Sequence, residues 1–300
     1  FCLMTLSGRS SPIEQADYAF FLEKVEDLKD QDRHFTMSGD ELRLFNPNTG
    51  NCPTFRCKRD KEIAEKIYRK VPVLWKEARD GQPEENPWGV QFKQLFNMTT
   101  DSHLFHTKEQ LEDDGWTPVS NRWHKNGHWM IPLYEGKMFY LFDHRYATFE
   151  GATESQLNSG QLPKFTDEDH ADPWKLPMPQ YWVREEELSA RYPDNSAPYI
   201  CFRDITNSTN QRTGVFSLTP HLPFGHNAPV AVFSDSSVDK AEYLLALLNS
   251  YLIDWIARSC IGGSHYSLFI LKQLPFREYH DYDPVTQFII SSVNELCIVS

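Results

Sequence analysis

The chain has 300 residues, enough for one large domain or two modest ones with a real hydrophobic core. Hydrophobic residues make up 40% of it and aromatic residues 14%, a composition that excludes a disordered tail. No stretch approaches the roughly 20 apolar residues of a membrane-spanning helix, so we expect no membrane partner. The formal net charge of −12 is unfavourable for DNA binding, so any DNA-binding surface has to be a local concentration of cations.

The six cysteines are scattered along the chain and include no Cys-x-x-Cys pair. The apolar start of the chain lacks the basic segment and the small-residue cleavage site of a signal peptide. Scattered thiols without a secretory signal are typical of a reducing compartment, and we therefore expect a cytoplasmic protein. Residues 1–6 have the pattern of a β-strand, and the chain begins with Phe1 inside it, so we expect a piece of a longer polypeptide.

Helix signals dominate the first part of the chain. Residues 11–14, Ser-Pro-Ile-Glu, offer an N-cap, a proline at the first helical position and a glutamate that can close a capping box, so we predict a helix over 11–28. Residues 46–50 are dense in turn formers and mark a candidate boundary. A basic helix is predicted next, over 60–70, and Pro72 ends it.

The pattern changes to β from Trp116 onward. Short runs of β-branched and aromatic residues alternate with turn formers, and a polar, acidic stretch at 151–172 indicates an exposed loop. A broad apolar face near the end predicts the longest helix, which a glycine pair stops. The predicted strands are 129–134 and 138–142, joined by a tight turn at 135–137, then 199–203, 214–218 and 230–233, and the helix covers 238–260.

Short motifs along nearly the whole chain carry a family resemblance. They are Phe45–Thr49, Cys52–Arg56, Arg59-Asp60, Ile67–Pro72, Asp101–Phe105, Pro132–Met138, Phe142–Thr148, Arg203–Thr206, Thr209–Thr213, Leu247–Ser250 and Leu271–Pro275. Together they resemble the region that follows the catalytic domain in large bacterial adenine-specific, amino-methylating DNA methyltransferases of restriction-modification and other phage-defence systems. The closing part is also similar to the target-recognition domains of type IIG restriction enzymes and, more distantly, to type I specificity subunits.

In that family this region reads the sequence and holds the duplex while an upstream domain flips and methylates adenine. Methylation needs an Asn/Asp-Pro-Pro-aromatic loop that binds the target amine and stacks on the flipped base. Asn46-Pro47-Asn48 lacks the second proline and the aromatic residue, and no such loop occurs elsewhere. The resemblance therefore implies a non-catalytic chain that binds double-stranded DNA. S-adenosylmethionine is expected in an upstream methyltransferase domain of the same polypeptide, and helicase or other defence subunits are further candidate partners.

The predicted fold class is mixed α+β, with a β-rich target-recognition domain that carries one long packing helix and follows a helical connector. With the resemblance, the chain divides into three segments. Residues 1–45 are the end of the methyltransferase domain, with its last strand and helix. Residues 46–115 are the helical connector with the basic helix, and residues 116–300 are the target-recognition domain.

Candidate DNA-binding residues fall in three groups. Between residues 56 and 79 nine Lys or Arg stand against four Asp or Glu, a local positive charge that suits phosphate contacts but also an ordinary solvated helix face. The second group flanks the predicted hairpin. The third group lies near a strand end and in a Thr/Asn/Gln-rich loop, where side chains can reach base edges or can instead form ion pairs with acidic side chains. The candidates are Arg56, Arg59, Lys66, Arg69 and Lys70, then Lys137, His144 and Arg145, and finally Arg203 and Arg212.

Two rivals from other functional classes stay open. Glu135 and Lys137 form half of a nuclease metal site, in which the carboxylate binds Mg²⁺ and the lysine orients the attacking water. No Pro-Asp pair supplies the other half, and only Asp113-Asp114 is available by position. A protein-docking module of a defence complex is the second rival, which the net charge favours. His124 and His128 have helical ligand spacing, yet their surroundings are turn-like, so we predict no metal site.

Overall fold

The structure, a computed structural model, describes residues 2–79, 81–192 and 198–298. Helices account for 33% of it and strands for 19%, so the predicted α+β class is confirmed. No described helix combines the length and apolar character that crossing a membrane requires.

The strands are β1 Gln15–Tyr18, β2 Phe35–Ser38, β3 Val90–Lys93, β4 Thr117–Val119, β5 Arg122–Lys125, β6 His128–Pro132, β7 Trp182–Arg184, β8 Tyr199–Phe202, β9 Phe216–Thr219 and β10 Val230–Phe233. The helices are α1 Gly39–Phe45, α2 Lys58–Tyr68, α3 Lys108–Asp113, α4 Glu154–Ser159, α5 Asp167–Ala171, α6 Glu185–Arg191, α7 Val238–Leu248, α8 Tyr251–Cys260, α9 Leu268–Lys272 and α10 Pro284–Ile298, with 3₁₀ turns at Val25–Lys29, Gln31–Arg33, Ser102–Leu104 and Gly136–Met138.

The chain divides into two compact units. The first unit comprises Phe1–Pro87, Trp255–Gly262 and Phe269–Glu278, and the second comprises Trp88–Asp254, Gly263–Leu268 and Tyr279–Ser300. The predicted connector, residues 46–115, is therefore shared between the two units. The assignment of roles to residues 1–45, 46–115 and 116–300 stays a prediction, because packing alone does not test the role of a segment.

An antiparallel hairpin and short helices form the first unit. Strand β1 pairs with β2 in the register Tyr18↔Phe35, and Ser38 at the end of β2 begins α1 as the N-cap of a capping box. An edge-to-face aromatic cluster joins β2 to α1 and α2, with neighbouring ring centroids 5.1 to 5.6 Å apart; its members are Phe35, Phe45, Phe55 and Tyr68. Aromatic pairs of this geometry contribute about 0.5–1.5 kcal/mol each beyond simple burial.

Two elements predicted near the start of the chain are wrong, whereas the basic helix is confirmed as α2. Residues 2–7 are exposed and form no strand, and Phe1 lies outside the described residues. The helix predicted over 11–28 is instead β1 followed by a 3₁₀ turn. Its local capping signal is overridden by a distant partner, because β1 hydrogen-bonds to β2 and Tyr18 stacks on Phe35 with centroids 5.9 Å apart.

Two antiparallel four-stranded sheets organise the second unit. Their strand orders are β3-β10-β8-β9 and β4-β5-β6-β7. The central strands β8 and β10 are buried along their whole length, as continuous apolar runs predict, and α7 packs against α10. The strands predicted at 199–203 and 230–233 are confirmed as β8 and β10, and the strand predicted at 214–218 is confirmed as β9 with slightly shifted bounds.

Three other predictions for the second unit need correction. Residues 138–142 form no strand, because Gly136–Met138 is a 3₁₀ turn and Phe142 has a left-handed backbone with φ of 63°. The supposed loop at 151–172 contains α4 and α5, whose N-caps are threonines in capping boxes. The long helix divides into α7 and α8, since Asn249 between them turns its side-chain amide to the main chain of β9.

Candidate functional site

The five candidate cations of the first unit lie in or beside α2. Arg59 and Arg69 each pair with a glutamate about one turn away, at 3.4 and 2.7 Å. The guanidinium of Arg56 lies 4.7 Å from the centroid of an aromatic ring. Lys66 and Lys70 are exposed, and no ion pair to either is found in the part of the chain that the structure describes. Lys66 and Lys70 are therefore the members of this group whose charge is most available to a phosphate.

His144 and Arg145 are largely taken up by the fold of the second unit. The Arg145 guanidinium donates hydrogen bonds of 2.9 to 3.2 Å to the main-chain carbonyls of His170, Asp172 and Lys175, and only 6% of the residue is exposed. Burial lowers the pKa of His144 to about 4, so its imidazole is neutral near pH 7. Neither side chain presents a charge at the surface, and folding alone explains both.

Arg212 is held by Asn249, the residue after α7, and by Asp254 in the first turn of α8. Its guanidinium donates to the carbonyl of Asn249, its Nε lies 3.6 Å from Asp254 Oδ1, and its side chain is only 9% exposed. The same Oδ1 accepts the main-chain N–H groups of Thr213 and Gly214 at 2.7 and 3.0 Å. Arg212 thus belongs to a buried network that fixes the Thr/Asn/Gln-rich loop.

One cavity in the second unit brings Lys137 and Arg203 together, although they come from distant parts of the sequence. Its volume is about 390 Å³. The lining includes residues of the 3₁₀ turn after β6, the end of β8 and the loop before β10. We call this cavity the Glu135 cleft; its main lining residues are Glu135, Gly136, Lys137, Arg203, Gly225 and Asn227.

Glu135 and Lys137 form an ion pair at the 3₁₀ turn. Glu135 is the residue before the turn, and Lys137 Nζ lies 3.4 Å from Glu135 Oε2 and 4.7 Å from the centroid of the Phe149 ring. The other carboxyl oxygen, Oε1, is buried and has no hydrogen-bond partner among the described residues. Burial raises the pKa of the Glu135 carboxyl, an effect that the charge of Lys137 opposes. Any ligand that donates N–H groups to this carboxylate would therefore relieve an unfavourable burial.

The Arg203 guanidinium lies among aromatic rings. It donates to the carbonyl of Phe139, and it lies 5.3 Å from the ring centroid of Tyr140 and 6.0 Å from that of Tyr146. The two tyrosine rings are themselves stacked, with centroids 4.9 Å apart. Arg203 Nε is buried and has no hydrogen-bond partner among the described residues. The aromatic contacts hold a positive charge beside the cleft at a fixed position.

The residues considered for metal binding are spread over the second unit. Glu135 precedes a 3₁₀ turn instead of lying on a strand, and Asp113-Asp114 lies at the end of α3. His128 pairs with a glutamate at 2.7 Å, and the His124 ring lies against a tryptophan ring, with centroids 4.7 Å apart. Within the described ranges no group of three or more His, Cys, Asp or Glu side chains is arranged to hold a metal ion. Among the described residues, no metal-ligand group therefore supports the Glu135 and Lys137 nuclease hypothesis.

Sequence reasoning missed Asn227, which completes the polar lining of the cleft. The loop that carries it approaches other main chain closely, since Gly225 N–H donates to the Tyr134 carbonyl at 2.9 Å. A Cβ atom at Gly225 would lie 3.2 Å from Met98 Sδ, so a larger residue there requires the neighbour to shift. The Gly-His-Asn turn directly before a buried strand is the signal that could have directed attention to this loop.

The Glu135 cleft surrounds one small volume with a carboxylate acceptor, cationic donors and a side-chain amide. Such a set binds a polar, flat group that carries both hydrogen-bond donors and acceptors. The cations on α2 offer a separate, purely electrostatic contact. Comparison with known proteins adds no relative, since no family model and no curated protein matches the sequence.

Proposed function

We propose that this chain binds double-stranded DNA as the target-recognition part of an adenine-specific DNA methyltransferase in a bacterial restriction-modification or phage-defence system. In this proposal the protein acts in the cytoplasm, and the methyl donor S-adenosylmethionine belongs to an upstream catalytic domain. We assign no residue of this chain to that cofactor. The resemblance of motifs along nearly the whole sequence supports the proposal.

The observation that carries the proposal is the Glu135 cleft. Lys137 and Arg203 were both selected from the sequence as DNA contacts, and both line this one cavity together with a carboxylate and an amide. Cations beside carboxylate and amide groups are the side chains that read bases, because Arg and Lys donate to guanine, Asn pairs with adenine and Glu accepts from cytosine. A carboxylate next to the cations also favours base contacts over simple phosphate attraction.

The net charge of −12 limits where phosphates can bind. Lys66 on α2 and Lys70 just beyond the end of this helix are exposed and form no ion pair with a described acidic side chain. In the proposal these two lysines contact phosphates without regard to sequence, while the cleft supplies selectivity. Added salt is therefore expected to weaken the phosphate contacts of the two lysines more than the base contacts in the cleft.

A protein-docking module is a second candidate function, and one observation favours it. Helix α10 and the turn before it expose large apolar side chains, including Tyr282 at 95% and Phe288 at 72%. Exposed apolar groups of this size are common at protein interfaces. Binding of a helicase or another defence subunit, without any binding of DNA, is the outcome that this candidate predicts.

A direct test is fluorescence anisotropy of a labelled random-sequence duplex titrated with the chain at several salt concentrations. We expect salt-dependent binding that weakens in Lys66→Ala and Lys70→Ala, with a flatter salt dependence, because each substitution removes a phosphate contact. Lys108→Ala is the matched control, since this exposed lysine on α3 forms a long ion pair of 3.8 Å with a glutamate and no shorter one among the residues that the structure describes. Absence of binding at low salt, or equal losses in the control, would contradict the proposal and leave the docking module ahead.

A further inference from the structure

The Glu135 cleft has unused hydrogen-bonding capacity of both kinds. Glu135 Oε1 is a buried acceptor without a partner, and Arg203 Nε is a buried donor without one, among the residues that the structure describes. A buried polar group without a partner costs about 1–3 kcal/mol. The unpartnered carboxylate oxygen indicates a ligand that offers N–H donors, and the cations Lys137 and Arg203 in the lining indicate that it also offers an acceptor.

The size of the cleft limits the ligand to a small one. Its volume of about 390 Å³ lies within the roughly 300–1,000 Å³ that is typical of pockets for small ligands and cofactors. The cleft can therefore select a base of duplex DNA only when that base leaves the stack, because a paired base edge lies within a groove and cannot enter a cavity of this size. A single base, either extruded from DNA or part of a free nucleotide, can enter it.

We propose that the Glu135 cleft binds a guanine base, whose N1–H and N2–H groups donate to the two carboxylate oxygens of Glu135 and whose O6 accepts from Lys137 Nζ. This inference rests on the proposed DNA-binding function and names the base that the site takes. The terminal torsion of a glutamate is soft, so a small rotation presents Oε1 to the ligand while Oε2 stays near Lys137.

Hydrogen-bonding patterns distinguish guanine from the other bases. Guanine alone has two adjacent donors beside a carbonyl acceptor, which matches two carboxylate oxygens beside a lysine. Adenine would turn its N1 acceptor toward the carboxylate, and cytosine offers only its amine as a donor. Thymine has a single N–H group between two carbonyls and leaves one carboxylate oxygen unsatisfied. Each mismatch leaves a buried polar group without a partner, which is the strongest source of discrimination in a binding site.

The test is titration of the chain with guanosine, inosine, adenosine and cytidine 5′-monophosphates, followed by NMR chemical-shift changes. We expect guanosine monophosphate to bind best, and inosine monophosphate, which lacks only the N2 amine, to bind roughly tenfold more weakly. Binding should strengthen as the pH rises through the raised pKa of Glu135, because only the ionised carboxylate accepts both N–H groups. Equal binding of all four nucleotides, or no binding of any, would overturn the inference.

Two substitutions in the Glu135 cleft and one control substitution elsewhere test whether the nucleotide binds in this cleft. Glu135→Gln and Lys137→Met should each abolish the preference for guanine. Glu154→Gln is the charge-matched control, because Glu154 is exposed in the first turn of α4 in the same unit. Circular dichroism and thermal unfolding identify any variant that fails to fold, and Glu135→Gln is expected to fold because it keeps the shape of the side chain and removes a charge that burial disfavours. Retention of the guanine preference by both folded variants would refute the assignment.

Oligonucleotides then separate the two sources of the base. A single-stranded oligothymidine with one central guanine should bind more tightly than plain oligothymidine if the base comes from DNA, whereas a preference confined to the free nucleotide indicates a soluble ligand. The random-duplex assay tests the proposed binding of double-stranded DNA separately, because its result does not depend on whether the cleft takes a single base. Duplex binding without nucleotide selectivity would reject the guanine site and leave the proposed function standing.

Discussion

Replacement of Arg145 by alanine tests whether this residue serves the fold or the DNA. Its buried guanidinium donates to three carbonyls in the segment around α5. Hydrogen bonds to a charged group contribute about 1.5–3 kcal/mol each. Residues 171–175 are exposed, so water can reach the released carbonyls of Asp172 and Lys175, and the alanine variant avoids the roughly 2 kcal/mol of side-chain entropy that ordering an arginine costs on folding. We expect Arg145→Ala to lower the free energy of unfolding by about 2–4 kcal/mol.

The assay is urea-induced unfolding followed by tryptophan fluorescence, with limited proteolysis to locate the loosened segment. Arg122→Ala is the control, because Arg122 is an exposed arginine of β5 in the same unit, and its loss should change stability by less than about 0.5 kcal/mol. The Arg145 variant should also become sensitive to protease near residues 170–175. Wild-type stability together with a loss of duplex affinity would refute the structural role and restore Arg145 as a DNA contact.

Three further predictions concern the buried Asp254 carboxylate, the two exposed lysines in or beside α2 and the His34–Asp17 pair. Asp254→Asn should lower the free energy of unfolding by about 2–3 kcal/mol in the same urea assay, because its buried carboxylate accepts two main-chain N–H groups; an unchanged midpoint would contradict this. The double variant Lys66→Ala/Lys70→Ala should reduce the slope of log affinity against log salt by about 2, equally on two unrelated duplexes; a loss confined to one duplex would contradict a phosphate role. The hydrogen bond that His34 Nδ1 donates to the Asp17 carboxylate raises the pKa of His34, so its stabilising contribution is complete below the ordinary value of about 6.5 and is lost as the pH rises through the raised value; thermal unfolding from pH 5.5 to 8.5 should show this loss in the wild type and not in His34→Gln.

Local signals predicted the elements that their own periodicity and composition determine, wherever their partners lie in the sequence. The basic helix α2 and the apolar strands β8 and β10 were predictable because periodicity and composition determine them. The helix expected over 11–28 failed because the stacking of Tyr18 on Phe35 depends on a partner that no local pattern reveals. The division between α7 and α8 was missed for the same reason, since Asn249 binds a strand far away in the sequence.

The candidate site shows the same limit at the level of single side chains. Glu135, Lys137 and Arg203 could be selected from the sequence because charged groups at a turn and a strand end are conspicuous. The sequence could not indicate that Arg145 is satisfied by carbonyls 25 to 30 residues away. The Gly-His-Asn turn that contains Asn227 indicates a loop in the sequence, but only the fold brings its amide to the cleft.

The break between α7 and α8 also covers the outer edge of a sheet. Strand β9 is the last strand of its sheet, and such a strand can recruit the edge of another molecule. The Asn249 side chain acts as one extra peptide group there, because its Nδ2 donates to the Phe216 carbonyl at 2.9 Å and its Oδ1 accepts the Phe216 N–H at 3.2 Å. Phe142 N–H reaches the same carbonyl at 3.1 Å. Replacement of Asn249 by leucine would open these main-chain groups to other molecules, so that aggregation at high concentration would accompany any loss of stability.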